Sequence, residues 1–272
     1  MKTLANQTLL YDEDCPLCQA YTDAFVKTGM LDEKGRKPYA DLNENELTFV
    51  NKENAVNEIA LIDRENNTVT YGVDSLLKVI GYSFPTISKI GNIKPVKYLL
   101  KKLYSLVSYN RKVIVPGKSN NSELQCTPSF NYRYRFIYML FATMVTAVTL
   151  FYYSTLLPIV PKGNFSREVI LAVGQMAFQA IFLIKHDNKT ILNYLGNVIT
   201  VSLIGSLILL PVLLINSFMI LPEVINLVWF GITVLIMFTE HYRRVKVLQL
   251  PGYLCFTWVA YRLLALPLIL NL

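Results

Sequence analysis

The sequence lacks several features that would place it in a common class. Residues 1–11 contain no apolar core of the kind that a secretory signal requires, so they predict no export. No internal repeat is visible, which gives no support to a repeat architecture. Histidine is scarce, since His186 and His241 are the only two. Acidic residues are scarce after residue 93, where five Asp and Glu stand with seventeen Lys and Arg.

Charge divides the chain in two. Residues 1–93 carry nine Lys or Arg against fourteen Asp or Glu, a local balance of −5 in a chain whose net charge is +7. Between Lys94 and Arg135, nine basic residues stand with a single acid, Glu123. Such a run ahead of an apolar segment is expected to contact anionic lipid headgroups, at about 1 kcal/mol per Lys or Arg near the surface. Nucleic acid is the weaker interpretation because the run adjoins a membrane segment, and we expect none to bind.

From residue 136 onward the chain is largely apolar. A bilayer core of about 30 Å needs about 20 apolar residues in a helix. Five segments meet or approach that length, so we predict an all-α bundle of about five membrane-spanning helices, with four or six as alternatives. The predicted spans are residues 136–157, 168–184, 192–215, 222–239 and 251–270. Polar breaks separate them, among them Asn216-Ser217 and residues 240–244.

Basic residues in the short loops predict the orientation, because cytoplasmic loops retain Lys and Arg. With the amino terminus inside, the outer side receives only Lys162 and Arg167. The inner side receives the long basic run and five further basic residues: Lys185, Lys189, Arg243, Arg244 and Lys246. We therefore predict a multi-pass protein of the plasma (inner) membrane with a cytoplasmic N-terminal domain. Cysteines in that domain would face a reducing compartment, where a disulfide is transient and catalytic.

Two cysteines one helical turn apart follow an acidic turn near the start of the chain. Residues 8–11 predict a strand and residues 16–26 a helix, which places Cys15 at the helix start. Unpaired backbone N–H groups and the helix dipole stabilise a thiolate there. Pro16 suits the first turn because it has no N–H to lose. We expect Cys15 to be a reactive thiolate, with a purely structural Cys15–Cys18 pair as the alternative.

Zinc is a further interpretation of the cysteine pair. A CxxC sequence supplies only two of the four ligands that a structural zinc site needs. His186 and His241 could complete a Cys2His2 set, but both are predicted to be isolated side chains at the membrane surface. We therefore expect no metal.

The spacing Asp12-x-x-Cys15-x-x-Cys18 directly after a strand resembles the DCC family of thiol-disulfide oxidoreductases, a thioredoxin-like family named for its Asp-Cys-Cys signature. Further similarities follow in the family's order: a central strand at residues 58–63, residues 70–75 leading into a helix, and Tyr109-Asn110-Arg111. The resemblance covers roughly residues 7–113. It implies a thioredoxin-like α/β domain with redox-active cysteines. Thioredoxins carry a cis-proline just before the corresponding strand, and this proline binds the substrate backbone. This chain lacks a proline just before the 58–63 strand, so the resemblance does not imply a thioredoxin-like mode of substrate binding.

Each residue of the motif has an expected role. Cys15 would attack a disulfide as a thiolate, and Cys18 would resolve the mixed disulfide. Asp12 would move protons to and from the thiols; alternatively, it caps the helix or simply ends the strand. Arg111 would lower a thiolate pKa or bind an anionic headgroup. Five further residues are expected to support the site: Asp14, Pro16, Gly72, Asp74 and Asn110.

Three domains are predicted. Residues 1–93 form the α/β domain, with a second strand at residues 38–42, a hairpin at Asn66-Asn67, and a helix capped by Asp74 and ended by Gly81. Residues 94–134 form a basic linker, in which residues 95–107 have apolar residues at helical spacing. That helix would lie on the membrane surface or pack against the domain. Residues 135–272 form the membrane domain.

Two further cysteines are candidates for a redox relay. Cys126 precedes the first predicted span, and Cys255 lies near the inner end of the last. Cys126 is the better candidate, because free buried cysteines commonly serve as small apolar residues.

Polar side chains inside the predicted spans form two groups. Gln175 and Gln179 share one helix face, as do Asn193 and Asn197, so these amides are expected to bond across the helix pair. Arg262 lies near the middle of the last span and needs a partner or a polar cavity. We expect an ion pair with Glu223, with a bound quinone or lipid headgroup as the alternative.

The sequence thus predicts a membrane-anchored thiol-disulfide oxidoreductase acting on the cytoplasmic face. Its partners would be the bilayer and a protein thiol, disulfide or membrane protein. It would require no cofactor beyond the redox-active Cys15–Cys18 disulfide, although exchange with a quinone remains an option. The alternative is a non-enzymatic scaffold or accessory subunit whose thioredoxin-like domain only binds a partner.

Overall fold

A computed structural model describes residues 2–117, 128–158, 160–161 and 163–271. The chain divides into two compact units, Met1–Tyr134 and Arg135–Leu272. Within the described residues, all strands belong to the first unit, and the second unit is helical.

The first unit alternates short strands with helices. Its strands are β1 Gln7–Tyr11, β2 Arg36–Pro38, β3 Ala60–Asp63 and β4 Thr68–Tyr71. Its helices are α1 Pro16–Lys27, α2 Glu44–Phe49, α3 Lys52–Asn57, α4 Gly72–Ser83, α5 Pro85–Gly91 and α6 Lys94–Ile114, with a 3-10 turn at Tyr39–Asp41.

The four strands form one mixed sheet in the order β2-β1-β3-β4. β1 pairs parallel with β2, whereas β3 pairs antiparallel with both β1 and β4. Side chains alternate across the central strands, so Leu9 and Leu61 enter one apolar cluster while Leu10 and Ile62 enter the other. Both faces are therefore covered, which explains why Leu9 and Leu10 of β1 and residues 60–62 of β3 are apolar on both sides of the sheet. β1, α1 and β2 together form a βαβ unit.

Several local predictions for this unit are confirmed. The first strand and helix lie where the sequence places them, and the hairpin turns at Asn67, whose φ is 50°. The predicted strand at residues 38–42 is wrong, because β2 ends at Pro38 and a 3-10 turn follows. Proline has no N–H to continue the ladder. Gly81 does not end α4, which continues to Ser83. The absence of a side chain at Gly81 instead leaves room for Ser88 of α5 to pack closely against α4.

Helix α6 packs on the sheet and is longer than predicted. The Tyr104 hydroxyl accepts a hydrogen bond from the Ile59 N–H at 2.8 Å, and the Ser108 hydroxyl donates to the Asn57 carbonyl. The helix also exposes Tyr98 and Leu99. These contacts support packing of α6 against the α/β domain, one of the two interpretations of this helix. Contact of the exposed Tyr98 and Leu99 with lipid stays a prediction.

The second unit is built from helices, the first of which begins just before it. They are α7 Tyr132–Ser154, α8 Phe165–Ile181, α9 Asn188–Phe218, α10 Glu223–Val247 and α11 Tyr253–Asn271. Among the described residues, α7, α9, α10 and α11 are long and apolar enough to cross a membrane. α8 has 17 residues, a length of about 26 Å. The described chain therefore contains four candidate spans, and the expected second span corresponds to this shorter helix.

Two predicted breaks lie inside helices. Asn216-Ser217 belongs to α9, where the Asn216 amide donates to the Val212 carbonyl and its oxygen accepts from the Leu221 N–H. This side chain caps the turn that follows the helix instead of interrupting it. Residues 240–244 belong to α10, because Glu240 pairs with Arg243 and Arg244 at helical spacing.

Candidate functional site

The two cysteines of the first unit lie at the junction of β1 and α1. Cys15 is the N-cap of α1, and its sulfur accepts a hydrogen bond from the Cys18 N–H at 3.3 Å. The Cys18 thiol also donates to the Cys15 sulfur, with the two Sγ atoms 2.7 Å apart. Pro16 occupies the first helical position, as predicted. The two sulfurs are reduced but close enough to bond to each other.

Their surroundings distinguish the two thiols electrostatically. The hydrogen bond from the Cys18 thiol is the main cause that lowers the pKa of Cys15 from 9.0 to about 7, against the opposing effect of burial. The Cys18 N–H and Arg111 lower it further. The same hydrogen bond and burial raise the pKa of Cys18 far above its usual value. When one of the two thiols ionises near neutral pH, the charge therefore resides on Cys15 and the proton stays on Cys18.

A buried ion pair lies beside the cysteines. Arg111 Nη2 is 3.3 Å from Asp12 Oδ2, and the two side chains are 7% exposed. Asp12 Oδ1 also accepts from the Asp14 N–H at 3.1 Å. Burial raises the pKa of Asp12, while Arg111 opposes that increase. Asp12 thus closes the turn and is not the helix cap, and Arg111 is too deeply buried to bind a lipid headgroup.

The cysteine pair is covered in this conformation. Cys15 is 2% exposed and Cys18 is 4% exposed. A Cβ atom added to Gly117 would lie 2.5 Å from the Asp14 carbonyl oxygen and 2.9 Å from Pro16 Cδ, so the Gly117 backbone lies directly on the start of α1. Because both cysteines are buried, a reagent can reach the Cys15 sulfur only when the surrounding chain opens.

The other supporting residues of the motif hold helices together. Asp74 pairs with Lys97 at 2.5 Å and Lys101 at 3.1 Å, which ties α4 to α6. Gly72 has a φ of 60°, and a Cβ there would clash with Glu58. The sequence pattern placed Asp74 and Gly72 at the site, but their contacts hold the fold together.

Asn110, the remaining supporting residue, is buried. Its amide donates to the Leu106 carbonyl at 2.8 Å and to the Tyr134 carbonyl at 3.1 Å. The Tyr109 ring stacks on the Tyr134 ring at 4.9 Å. Asn110 and Tyr109 therefore both hold Tyr134, in the first turn of α7.

Comparisons with protein-family models, curated proteins and solved structures gave no match to this chain. The resemblance to the DCC family therefore depends on the motif and its spacing alone.

The remaining candidates for redox or metal chemistry lie elsewhere. Cys126 is outside the described residues. Cys255 is buried in an apolar cluster with Leu254 and Trp258. His241 is buried and bonds with the Tyr194 hydroxyl at 3.1 Å. Within the described ranges, no group of three or more His, Cys, Asp and Glu side chains could hold a metal ion.

Three of the four amides that were expected to bond across the helix pair, Gln179, Asn193 and Asn197, bond instead to side chains of other residue types. Gln179 accepts from the Tyr194 hydroxyl at 2.9 Å. Asn193 accepts from Arg135 at 3.0 Å, and Asn197 accepts from Arg244 at 2.8 Å. Sequence reasoning missed both arginines as bundle residues, because it assigned them to loops at the ends of spans.

Gln175 and Arg262 differ from these paired residues. The buried Gln175 amide has no hydrogen-bond partner among the described residues. Arg262 stacks over the Trp258 ring, with its guanidinium carbon 5.3 Å from the ring centroid. In the part of the chain that the structure describes, no ion pair joins Arg262 to Glu223.

Proposed function

We propose that this protein is a membrane-anchored thiol-disulfide oxidoreductase of the DCC type, with a thioredoxin-like N-terminal domain. The observation that carries the proposal is the 2.7 Å approach of the Cys18 thiol to the Cys15 sulfur at the start of α1. A CxxC pair beside a βαβ unit is typical of thioredoxin-like redox proteins, and β1, α1 and β2 form such a unit.

The proposed reaction is a two-step thiol-disulfide exchange. The Cys15 thiolate attacks one sulfur of a substrate disulfide, which forms a mixed disulfide and releases the other substrate sulfur as a thiolate. Cys18 then loses its proton and attacks the Cys15 sulfur. This step forms the Cys15–Cys18 disulfide and releases the second substrate sulfur as a thiolate. The substrate gains two electrons, and the dithiol loses two.

Proton transfer is the proposed role of the buried carboxylate. Cys18 must lose its proton at the moment it attacks, although its surroundings strongly favour the thiol. Asp12, Cys18 and Arg111 line the same small pocket. Burial raises the pKa of Asp12, which makes it a better base for this proton, while Arg111 opposes that increase and favours the ionised carboxyl.

The membrane setting extends the proposal to location and partner. Among the described residues, four helices are long and apolar enough to span a bilayer, which supports an integral membrane protein. The distribution of Lys and Arg supports an N-terminal domain on the cytoplasmic face of the plasma membrane. A protein thiol or disulfide, in a soluble or a membrane partner, is the proposed substrate, and a quinone is a second candidate for the electron exchange.

The direct test is disulfide exchange by the full chain in a neutral detergent, with oxidised glutathione as the probe. We expect the wild type to form the Cys15–Cys18 disulfide, Cys18→Ser to accumulate glutathione on Cys15, and Cys15→Ser to accumulate none at Cys18. Mass spectrometry of the cysteine peptides reads all three outcomes. Cys255→Ala is the matched control and should behave as the wild type. A wild type that forms no internal disulfide would refute the proposal.

A scaffold function is the second candidate, and the covered cysteines favour it. A pair of buried cysteines can serve packing alone. A scaffold would keep its cellular function in the double variant Cys15→Ser, Cys18→Ser, whereas an oxidoreductase would lose it.

A further inference from the structure

A cavity of about 300 Å³ lies within the helical unit. Every helix from α7 to α11 contributes to its wall, and most of the wall is apolar. Leu150, Leu171, Leu209, Phe230 and Leu266 represent the five helices in turn. An apolar cavity with a few convergent polar groups is the usual form of a small-molecule site.

Two residues of α11, Trp258 and Arg262, line this cavity, and each has a buried N–H group without an acceptor among the described residues. Neither Trp258 Nε1 nor Arg262 Nε has a hydrogen-bond partner among the described residues. The two residues are four apart in the helix, and the Arg262 guanidinium lies over the Trp258 ring. Trp258 is 3% exposed, so water does not satisfy its N–H from outside. A buried donor without an acceptor is costly, and both donors would be satisfied by one oxygen-bearing ligand.

The cavity wall also carries an excess of positive charge. Glu168 is its only carboxylate within the described residues, and this group is bonded to Arg167 at 2.8 and 3.0 Å. Arg262 has no carboxylate within ion-pair distance in the described chain. A cation inside a membrane domain needs a counter-ion or water. The unmatched charge therefore favours an anionic ligand over a neutral one.

We infer that this cavity binds an anionic amphiphile, with one oxygen of its carboxylate or phosphate head bonded to Arg262 and Trp258 and its acyl chain along the apolar wall. A free fatty acid and an acyl lipid with a phosphate head share this chemistry. The site is independent of the cysteine pair and of the proposed redox function. A neutral quinone would offer a carbonyl oxygen to the same donors but would leave the charge of Arg262 unmatched.

Equilibrium binding to the full chain, purified in an uncharged detergent, tests the inference. The probes are radiolabelled palmitate, its methyl ester, phosphatidic acid and ubiquinone. We expect saturable binding of palmitate or phosphatidic acid, and the preferred probe identifies the source of the ligand. The methyl ester keeps the chain and loses the charge, so it should bind at least about tenfold more weakly. Tighter binding of ubiquinone than of both anions would overturn the inference.

Substitutions of Arg262 and Trp258 test whether these two donors bind the head of the ligand. R262Q should weaken binding of the anionic probe about 10- to 100-fold, because it removes a charged hydrogen bond. R262K should retain most of the binding. W258F keeps the ring and removes the N–H, so it should weaken binding about 3- to 10-fold. R133Q, at an exposed arginine, is the matched control. Unchanged affinity in R262Q would overturn the inference.

A photoactivatable fatty acid tests the same site without any substitution. On the wild type, labelling that palmitate competes away should map to cavity residues such as Leu171 and Leu266. Labelling confined to outward residues such as Phe256 and Leu263 would reflect general detergent-phase contact and would overturn the inference. This measurement decides the question even if R262Q does not fold.

Discussion

The hydrogen bond between the two cysteines predicts how the ionisation of Cys15 responds to substitution. In the native site the Cys18 thiol is the main cause of a Cys15 pKa near 7. Cys18→Ala removes this donor while the helix N-terminus remains. A hydrogen bond to a charged group contributes about 1.5–3 kcal/mol, and 1.36 kcal/mol corresponds to about one pKa unit. The pKa of Cys15 should therefore rise to about 8–9.

The consequence at neutral pH is large. With a pKa of about 7, about half of Cys15 is thiolate at pH 7. At a pKa of about 8–9, that fraction falls to about 1–10%. Cys18→Ser is the matched control, because its hydroxyl can still donate to the Cys15 sulfur, and its pKa should stay close to the native value.

Ultraviolet thiolate absorbance of the reduced full chain, titrated from about pH 5 to about pH 10, measures this pKa directly. A trace of the Cys15→Ser variant is subtracted to remove the signals of tyrosine and of the other cysteines. The reasoning is refuted if Cys18→Ala titrates at the same pH as the wild type, or if the wild type itself titrates near 9. Either result would mean that the Cys18 thiol does not stabilise the Cys15 thiolate.

Three further predictions concern the surroundings of the cysteine pair. Arg111→Met leaves the Asp12 carboxylate buried without its cation, so the free energy of unfolding measured by denaturant titration should fall by about 3–5 kcal/mol. Adding Asp12→Asn to this variant should recover part of the loss. Gly117→Ala should push its segment off the start of α1 and raise the rate of maleimide labelling at Cys15, measured by peptide mass spectrometry. Gly72→Ala should lower stability by about 1–2 kcal/mol in the same denaturant titration, because φ at this position is 60°.

Local signals were enough to predict the elements that carry the cysteines. The apolar run of β1, Pro16 at the first helical position and the Asn66-Asn67 turn each act within a few residues. Helices α2 and α3 were not predicted, although Asn43 and Asn51 cap them. Six residues are too few to show a helical period, so these helices depend on the sheet face that they cover.

Tertiary pairings could not be predicted from one sequence. Asp12 and Arg111 are 99 residues apart, and no local pattern joins them. The resemblance to the DCC family singled out both residues but did not suggest an ion pair between them. Arg135 and Arg244 were likewise assigned to membrane surfaces, because a charged residue in the sequence usually indicates the end of a span. The charge pattern does not show that a neighbouring helix offers each arginine an amide oxygen to bond.

Hydrogen-bond partners separate two kinds of polar residue within the helical unit. Arg135, Arg244 and Gln179 each bond to a side chain on another helix, which is sufficient reason for a polar residue to be inside a bundle. Trp258 and Arg262 contact each other but share a cavity in which their N–H groups have no acceptor among the described residues. Stability gives no reason to keep an unmatched charge there, because an apolar residue would pack at lower cost. A single helix would suffice as an anchor, so a cavity lined by five helices and carrying a cation argues that the membrane domain binds a ligand of its own.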